Sequence, residues 1–408
     1  MTKIKNADFT LISFILLGFL IRLSFIFLPG FKIDVDTWFA WTMRLNQIGF
    51  VNFYSDLVWT NYTPGYLYVL YVLGWIKNLL SLDNQSFYLI LKLPAILAEV
   101  FLGFIIYKLV AKKSILWAKI ALGLFILNPA VIFNSAVWGQ IDGLFSAFLV
   151  LSIFFLSQRR LIFSSIFLAI SLVIKPQAIL VMPVFIFYFL SNSSIKIILK
   201  FIGIFLIIVF ILFYPFFILD PITGPINLFI QMIKDYPYIS AFAYNLWGII
   251  GFWTSDSQKF IGLTYQNMGF YLVSIYWIII GYFYFRRKKL SLFSLATLAA
   301  LSFYFLPTRV HERYLYPALI FLIISTALFR SYLLLGLSIM LSIVHFLNLY
   351  YVYVYYNEFY LNLPKILYNP YLFGILDTNS QIFSLISVII FFSVTAIIIK
   401  SDVKYKRV

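Results

Sequence analysis

Residues 201–218 read FIGIFLIIVFILFYPFFI and contain no charged side chain. At the helical rise of 1.5 Å per residue such a stretch covers about 27 Å, close to the ~30 Å hydrocarbon layer of a membrane. The chain has twelve apolar blocks that could span a membrane, at approximately 9–28, 87–107, 115–134, 141–157, 161–174, 177–190, 196–218, 263–285, 291–306, 314–329, 332–356 and 380–400. The sequence therefore predicts an all-α polytopic membrane protein with about twelve transmembrane helices.

The overall composition excludes a soluble globular protein. Hydrophobic residues make up 63% of the 408 positions and charged residues only 11%, whereas soluble domains are about 45–50% apolar and about 25% charged. The chain has no cysteine and two histidines. Disulfides, thiolate nucleophiles and cysteine-ligated metals are therefore excluded, and we predict no metal site.

The cationic residues define an orientation in the membrane. A net charge of +16 would suggest nucleic acid in a soluble protein, but here the cations flank apolar blocks, so we predict no nucleic-acid partner. If the short apolar stretch 65–80 lies in the interface without crossing, all the basic clusters fall on one side. By the positive-inside rule that side is the cytoplasm, so both termini are predicted to be cytoplasmic in a multi-pass cell-membrane protein. The clusters are Lys3/Lys5, Lys108/Lys112/Lys113/Lys119, Arg159/Arg160, Lys196/Lys200, Arg286–Lys289, Arg330 and Lys400/Lys404/Lys406/Arg407.

Two long loops, 29–86 and 219–262, then lie outside together with most of the acidic residues. In the first loop Trp38, Trp41, Leu45 and Ile48 recur at helical spacing, which predicts an amphipathic helix in the interface plane. The stretch 65–80 would be a second interfacial helix. We treat residues 1–408 as one transmembrane domain whose chemistry lies on the external face.

The carboxylates of Asp34 and Asp36 come directly before the amphipathic helix. An acid held at the membrane surface can remove a proton from a hydroxyl, as a general base does. An acid before a helix is also an ordinary N-cap. The sequence leaves both interpretations open.

Two short motifs lie at predicted external helix ends. Residues 138–143 stand at the start of a span, and residues 175–177 lie between two spans. In Trp138–Gly143 the acid Asp142 is either a helix N-cap or a site residue. In the Lys175–Gln177 motif the ammonium either meets a phosphate as a point charge or snorkels from a helix end.

The segment 307–314, PTRVHERY, places four polar groups on the outer side against the positive-inside bias. Arginine pairs bind phosphate oxygens bidentately, so Arg309, His311 and Arg313 are candidate anion-binding groups. The alternative is an ion pair within the turn through Glu312. Lys175 completes the set of candidate cations.

Two ionisable residues, Lys92 and Glu99, lie inside a predicted span. Charges at membrane depth are costly and require a partner or a role. Lys92 is near the outer end of its span, where it can snorkel. Glu99 is deeper and is predicted to have a partner.

Several of these pieces, read in order, resemble one enzyme class. They are Asp34-x-x-x-Trp38-x-x-Trp41, Phe53-Tyr54, Tyr62-x-Pro64-Gly65-Tyr66-Leu67-Tyr68, Lys92–Glu99, Trp138–Asp142, Ile174–Gln177 and His311–Pro317. The chain resembles the GT-C class of integral-membrane glycosyltransferases, most closely bacterial proteins related to the second mannosyltransferase of GPI-anchor synthesis. It departs from them at Asn61, where relatives often have Asp, and at Thr63, where they often have Pro.

The resemblance implies transfer of a sugar, mannose or another hexose, from a polyprenyl-phosphate carrier to a glycan, lipid or protein acceptor, with no further cofactor. It implies that the acid of the first loop is the base, which favours Asp34 over Asp36 by its spacing from Trp41. The residues expected to bind substrate are Tyr62, Gln140, Asp142, Lys175, Gln177, Arg309, His311, Glu312 and Arg313. A single displacement would invert the anomeric configuration, and cations would stabilise the leaving phosphate.

Two other classes remain open on the sequence. A transporter or flippase of lipid-linked sugars would carry ionisable groups deep in several spans, and only Glu99 and Arg22 fit that description. A membrane scaffold would need neither the Asp34 acid nor the 307–314 turn.

Overall fold

The protein is described by a computed structural model over residues 9–55, 59–287 and 290–400. The predicted cytoplasmic termini and part of the basic cluster at 286–289 lie outside the described residues.

The described chain is 77% helical, with seventeen α-helices. In order they are α1 Phe9–Phe25, α2 Lys32–Ile48, α3 Pro64–Leu79, α4 Asn84–Ala111, α5 Ile115–Ile126, α6 Pro129–Ile132, α7 Asp142–Ser157, α8 Leu161–Ile174, α9 Met182–Asn192, α10 Ile195–Phe213, α11 Thr223–Lys234, α12 Tyr265–Arg287, α13 Leu292–Phe305, α14 Tyr316–Phe329, α15 Tyr332–Tyr353, α16 Pro370–Thr378 and α17 Ser380–Lys400. Short 3-10 turns occur at Pro176–Val181, Tyr214–Phe216, Trp247–Ile249 and Glu312–Leu315, and π-helical turns at Phe133–Trp138 and Val354–Tyr360. Two-residue strands β1 Lys259–Phe260 and β2 Leu263–Thr264 form an antiparallel hairpin.

Six of these helices are long and apolar enough to cross a membrane, namely α4, α10, α12, α14, α15 and α17 with their adjoining turns. The bent pair 115–126 and 129–138 makes a seventh if it counts as one span. Helices α1, α7, α8, α9 and α13 are apolar but shorter. The expected multi-pass membrane protein is confirmed, and the predicted apolar blocks are mainly helical.

Helices that follow one another in the chain pack together in pairs and form the interior. Helix α7 packs along α8, α4 along α5, and α13 along α14, while α14 also contacts α5, α7 and α15. Every residue of α14 from Tyr316 to Ala327 is buried. The pair α2–α3 packs together against α4 and α8.

Helix α3 reaches α8 through a glycine. A Cβ atom on Gly65 would lie 2.5 Å from the carbonyl carbon and oxygen of Val173, a separation that no side chain tolerates. The first turn of α3 therefore lies directly on the last turn of α8. This contact holds the first long loop over one end of the bundle.

The first loop largely follows the sequence prediction. Helix α2 buries Trp38, Trp41 and Leu45, as the helical spacing predicts. Ile48, at its end, is exposed. Helix α2 begins at Lys32, before the predicted start, so Asp34 lies inside it. The short helices α11 and α16 and the hairpin β1–β2 were not predicted.

Candidate active site

Asp34 is held in the first turn of α2 by two donors from a distant part of the chain. Its Oδ2 accepts hydrogen bonds from Trp138 Nε1 at 2.7 Å and from Gln140 Nε2. The N-cap of α2 is Phe31, so Asp34 does not cap the helix and the capping interpretation is wrong. Asp34 is half-buried, and its Oδ1 has no hydrogen-bond donor within the part of the chain that the structure describes.

Gly139 has a left-handed backbone conformation that lets both Trp138 and Gln140 reach the Asp34 carboxylate. The π-helical turn Phe133–Trp138 ends at Gly139, whose φ is +91°, a conformation that favours glycine. The chain reverses there, so that Gln140 returns towards Asp34. The Phe31 backbone N–H donates to the Trp138 carbonyl at 2.8 Å, and the two rings stack 4.2 Å apart. The start of α2 is therefore fixed to the segment that carries both donors.

Asp142 and Lys175 form a buried ion pair beside Asp34. Asp142 Oδ1 accepts from Lys175 Nζ, and its Oδ2 accepts from Asn134 Nδ2 at 3.0 Å. Both side chains are almost fully buried, and no side-chain cap is formed at the start of α7. The cap predicted for Asp142 and the snorkelling alternative for Lys175 are therefore wrong. The Lys175 ammonium lies 5.6–5.9 Å from the ring centroids of Tyr62, Phe145 and Tyr314.

The turn at 307–314 brings Arg313 into the region of Asp34 and Lys175. Arg313 Nη1 donates to Glu312 Oε1 at 2.9 Å, so the ion pair proposed within the turn is formed. Arg313 Nε is buried without a partner in the described residues. The guanidinium also interacts electrostatically with Asp34. Arg313 therefore lies within electrostatic range of Asp34.

Arg309 lies apart from this cluster. Its guanidinium makes two hydrogen bonds to Asp256, at 2.7 and 3.3 Å, and one to the Ile233 carbonyl at 2.6 Å. These contacts connect the turn at 307–314 to the second long loop, 219–262. A further connection is the hydrogen bond that the Ala241 backbone N–H donates to the Val310 carbonyl at 2.9 Å. The structure therefore places Arg309 in a loop-anchoring ion pair, away from Asp34.

His311 is buried against Tyr236, with ring centroids 4.6 Å apart. Burial, with the nearby charges of Arg313 and Lys175, lowers the pKa of His311 well below its ordinary value of 6.5. The imidazole is therefore neutral at neutral pH. The prediction that it acts as a cation needs this correction, because desolvation and two neighbouring positive charges both disfavour the charged form.

Tyr62 and Gln177 complete the cluster. The Tyr62 hydroxyl donates to Gln140 Oε1 at 3.4 Å. Burial raises the pKa of Tyr62 well above 10.0, while Arg313 opposes this shift and Asp34 adds to it. Gln177 Nε2 donates to the Tyr314 hydroxyl at 2.9 Å, whereas its Oε1 is buried and unpaired in the described chain.

Asp36 points elsewhere. It accepts from Lys32 Nζ on the same helix and from the Tyr88 hydroxyl at 2.8 Å. Its side chain is 43% exposed. The two acids that the sequence left as alternatives are thus separated, and only Asp34 faces the cluster.

We call the residues that meet in this way the Asp34 cluster; its members are Asp34, Tyr62, Trp138, Gln140, Asp142, Lys175, Gln177, His311, Glu312, Arg313 and Tyr314. Sequence reasoning missed Tyr314 and Asn134 as direct partners. It also missed Tyr236 and Asp256, and the only available signal for these was their position in the long loop 219–262.

A second buried polar network lies deeper, between α1, α4 and α14. Glu99 Oε2 accepts from Arg22 Nε at 2.7 Å and from Ser135 Oγ at 2.6 Å, and Oε1 accepts from the Tyr316 hydroxyl at 2.7 Å. Arg22 and Glu99 are both completely buried. The predicted partner of Glu99 is therefore Arg22. We call these four residues the Glu99 network.

Lys92 does not snorkel. It is 2% exposed, and its Nζ donates to the carbonyls of Ile26, Leu28 and Ala136 at 3.0, 2.6 and 3.0 Å. All three ammonium donors are used. Lys92 therefore joins the end of α1 to the π-helical turn that presents Trp138.

Chemically, the Asp34 cluster offers a carboxylate oxygen to which no described group donates and a buried guanidinium N–H without a partner in the described chain. No group of three or more His, Cys, Asp or Glu residues suited to a metal ion occurs in residues 9–55, 59–287 and 290–400. The chain matches no protein-family model and no curated protein sequence.

Proposed function

We propose that the protein is a GT-C-type glycosyltransferase that moves a hexose, mannose or a related sugar, from a polyprenyl-phosphate carrier to an acceptor hydroxyl. One observation carries this proposal. Asp34 is oriented through Oδ2 by Trp138 and Gln140 while its Oδ1 stays free, beside Arg313 with an unpaired Nε. A base and an anion-binding group held side by side are what glycosyl transfer from a phosphate carrier requires.

The topology of the proposal has twelve crossing helices, with α2 and α3 in the external interface and both termini in the cytoplasm. The distribution of Lys and Arg supports this orientation. The Asp34 cluster would then lie on the external face of the cell membrane. A lipid-linked donor is reached there from the membrane and an acceptor from outside.

In the proposed reaction the acceptor oxygen attacks the anomeric carbon from the face opposite the carrier phosphate. As that bond forms, the hydroxyl proton passes to Asp34 Oδ1. The bond between the anomeric carbon and the phosphate oxygen breaks, and its electron pair leaves with polyprenyl phosphate. The single displacement inverts the anomeric configuration through a transition state with oxocarbenium character.

The leaving phosphate is assigned to Arg313. Its Nε is unpaired and its guanidinium has a fork geometry suited to phosphate oxygens. Lys175 adds positive potential but is already neutralised by Asp142. Neutral His311 is suited to a hydrogen bond with the donor or acceptor, and Gln177 Oε1 offers a further acceptor for a sugar hydroxyl.

The Glu99 network argues against a transporter or flippase of lipid-linked sugars. Both carboxylate oxygens of Glu99 are occupied, by Arg22, Ser135 and Tyr316. Ionisable groups that carry protons or ions through a membrane line a pathway or a water-filled cavity. The partners of Glu99 fix the helices in place instead.

The test is transfer by the purified protein in lipid nanodiscs. Synthetic polyprenyl-phosphate hexoses serve as donors, and extracted membrane lipids and envelope glycans of the source cells as acceptors. Release of polyprenyl phosphate together with a glycosylated product that depends on Asp34 supports the proposal. An Asp34→Asn variant as active as the unaltered protein, or donor passage across the bilayer without sugar transfer, contradicts it.

A further inference from the structure

A groove of about 450 Å³ opens between α8 and α10. Its rim carries Arg159, Arg160 and Lys200, and its walls include Ile162, Phe163 and Ile197. None of these residues belongs to the Asp34 cluster.

The groove lies at the other end of the bundle. Helix α7 begins at Asp142 and ends at Ser157, just before Arg159, and α8 returns from Leu161 to Ile174, next to Lys175. At 1.5 Å per residue these helices of 16 and 14 residues are about 24 and 21 Å long. The groove and the Asp34 cluster are thus separated by roughly the length of a short span.

The three cations of the rim are uncompensated. All three side chains are exposed, and none makes an ion pair with a carboxylate anywhere in the described chain. In the Asp34 cluster, by contrast, Lys175 and Arg313 each face an acid. Unpaired positive charge at one end of the bundle attracts an anion.

The walls of the groove identify the kind of anion. Ile162, Phe163 and Ile197 are exposed large hydrophobic residues on helices that are apolar along their length. A soluble anion such as free phosphate gains nothing from apolar walls. A membrane phospholipid matches both features, because its phosphate meets the cations while its acyl chains follow the apolar helices. Basic pockets between membrane helices bind lipid head groups in this way.

We propose that this groove binds an anionic phospholipid of the leaflet opposite the Asp34 cluster. Arg159, Arg160 and Lys200 hold its phosphate, and the α8–α10 surface holds its acyl chains. This proposal does not depend on the glycosyltransferase reaction. It concerns a separate site with a different ligand.

The experiment is native mass spectrometry of the full-length protein released from nanodiscs of phosphatidylglycerol or of phosphatidylcholine. The unaltered protein is expected to retain phosphatidylglycerol in preference to phosphatidylcholine. The double variant Arg160→Gln/Lys200→Gln should lower phosphatidylglycerol affinity about tenfold or more, since each cation near an anionic lipid contributes substantially. The matched control, Lys112→Gln/Arg286→Gln, removes two exposed cations outside the groove and should leave binding unchanged.

A second variant tests the groove without altering charge. Ile197→Trp fills part of the cavity and should also weaken phosphatidylglycerol retention. An equal loss of phosphatidylglycerol affinity in the matched control overturns the proposal, because binding would then follow the overall charge of the protein. Equal retention of phosphatidylglycerol and phosphatidylcholine also overturns it, because the groove would then not select an anionic lipid. Displacement of the lipid by about 10 mM inorganic phosphate, enough to fill a site of about millimolar Kd, overturns it in favour of a soluble-anion site.

Discussion

The Asp34 cluster and the Glu99 network are both buried polar groups inside an apolar bundle, but they differ in how their hydrogen-bonding capacity is used. In the Glu99 network both carboxylate oxygens are occupied by three donors. In the Asp34 cluster Arg313 Nε and Gln177 Oε1 are buried without a partner among the described residues, and the hydrogen bonds to Asp34 there all go to Oδ2.

This difference distinguishes a network that stabilises the fold from a cluster that can bind a substrate. A buried polar group without a partner costs roughly 1–3 kcal/mol, so a fold that keeps several of them in one place sacrifices stability there. In the Glu99 network only Arg22 Nη2 lacks a partner among the described residues, and the ion pair stabilises the contact between α1, α4 and α14. The incompletely bonded cluster retains atoms that a substrate can pair with. Five changes to the protein or its conditions test this contrast between the Asp34 cluster and the Glu99 network.

Asp34→Asn should abolish most transfer activity, by about 10²–10⁴-fold, the range that a general base contributes. The asparagine oxygen can still accept from Trp138 and Gln140, so the fold should persist. Product formation by the purified variant, with its thermal unfolding midpoint as control, provides the measurement. Activity within a factor of two of the unaltered protein would remove Asp34 from the mechanism.

Glu99→Leu should lower the free energy of unfolding by about 3–5 kcal/mol, because Arg22 is left as an unpaired buried charge. Activity per folded molecule should change little. Thermal unfolding in detergent measures the loss. The double variant Arg22→Met/Glu99→Leu should recover most of it, and failure to recover would mean that the pair is not the source of the effect.

Trp138→Phe should lower kcat/KM roughly 10–100-fold, since a hydrogen bond to a charged acceptor is worth about 1.5–3 kcal/mol. The ring still stacks on Phe31, so the loop should keep its place. Steady-state kinetics test this, with Trp41→Phe as the matched control, because that indole is buried without contacting Asp34. An equal effect in both variants would point to packing alone.

Acidification should destabilise the protein partly through His311. Its pKa in the folded state lies well below the unfolded value of 6.5, so the unfolded chain binds more protons below that pH. This contribution is complete above pH 6.5 and falls by about 1.4 kcal/mol per pH unit below it. Unfolding midpoints at pH 7.5, 6.5 and 5.5 should decline less steeply in His311→Gln. An unchanged slope would contradict the buried neutral imidazole.

Asp36→Asn should have the smallest effect. Its pair with Lys32 is an exposed i,i+4 contact, worth about 0.3–0.5 kcal/mol. Activity should stay within a factor of two and the unfolding midpoint within a degree or so, which also makes this variant the control for Asp34→Asn. A large loss of activity would move the base by two residues.

Much of the helical architecture was predictable from the sequence, because an apolar run of the right length has few other structures available in a membrane. The block 161–174 coincides with α8, and the aromatic spacing in α2 correctly predicts its buried face. The π-helical turn at Phe133–Trp138 was not predictable. It packs against Phe31, which is far away in the sequence and which the local sequence does not reveal.

The motifs predicted which segments meet but not how each charge is paired. Lys175 is as compatible with snorkelling as with burial until α7 places Asp142 beside it. Arg309 and Arg313 stand four residues apart, yet only the second faces Asp34, because the first meets Asp256 in the long loop. Choice of partner is a tertiary property, and neither spacing nor residue type determines it.

The seam between Gly65 and Val173 limits how this protein can move. The three atoms nearest to a Cβ on Gly65 would all be backbone atoms of Val173 and Ile174, so a rotamer change there cannot make room for a side chain. If a large lipid-linked molecule is to enter between α3 and α8, helices α2 and α3 must move together as a rigid body. The speed of such a collective displacement, in the microsecond-to-millisecond range typical of hinge and shear motions, would then set an upper bound on turnover.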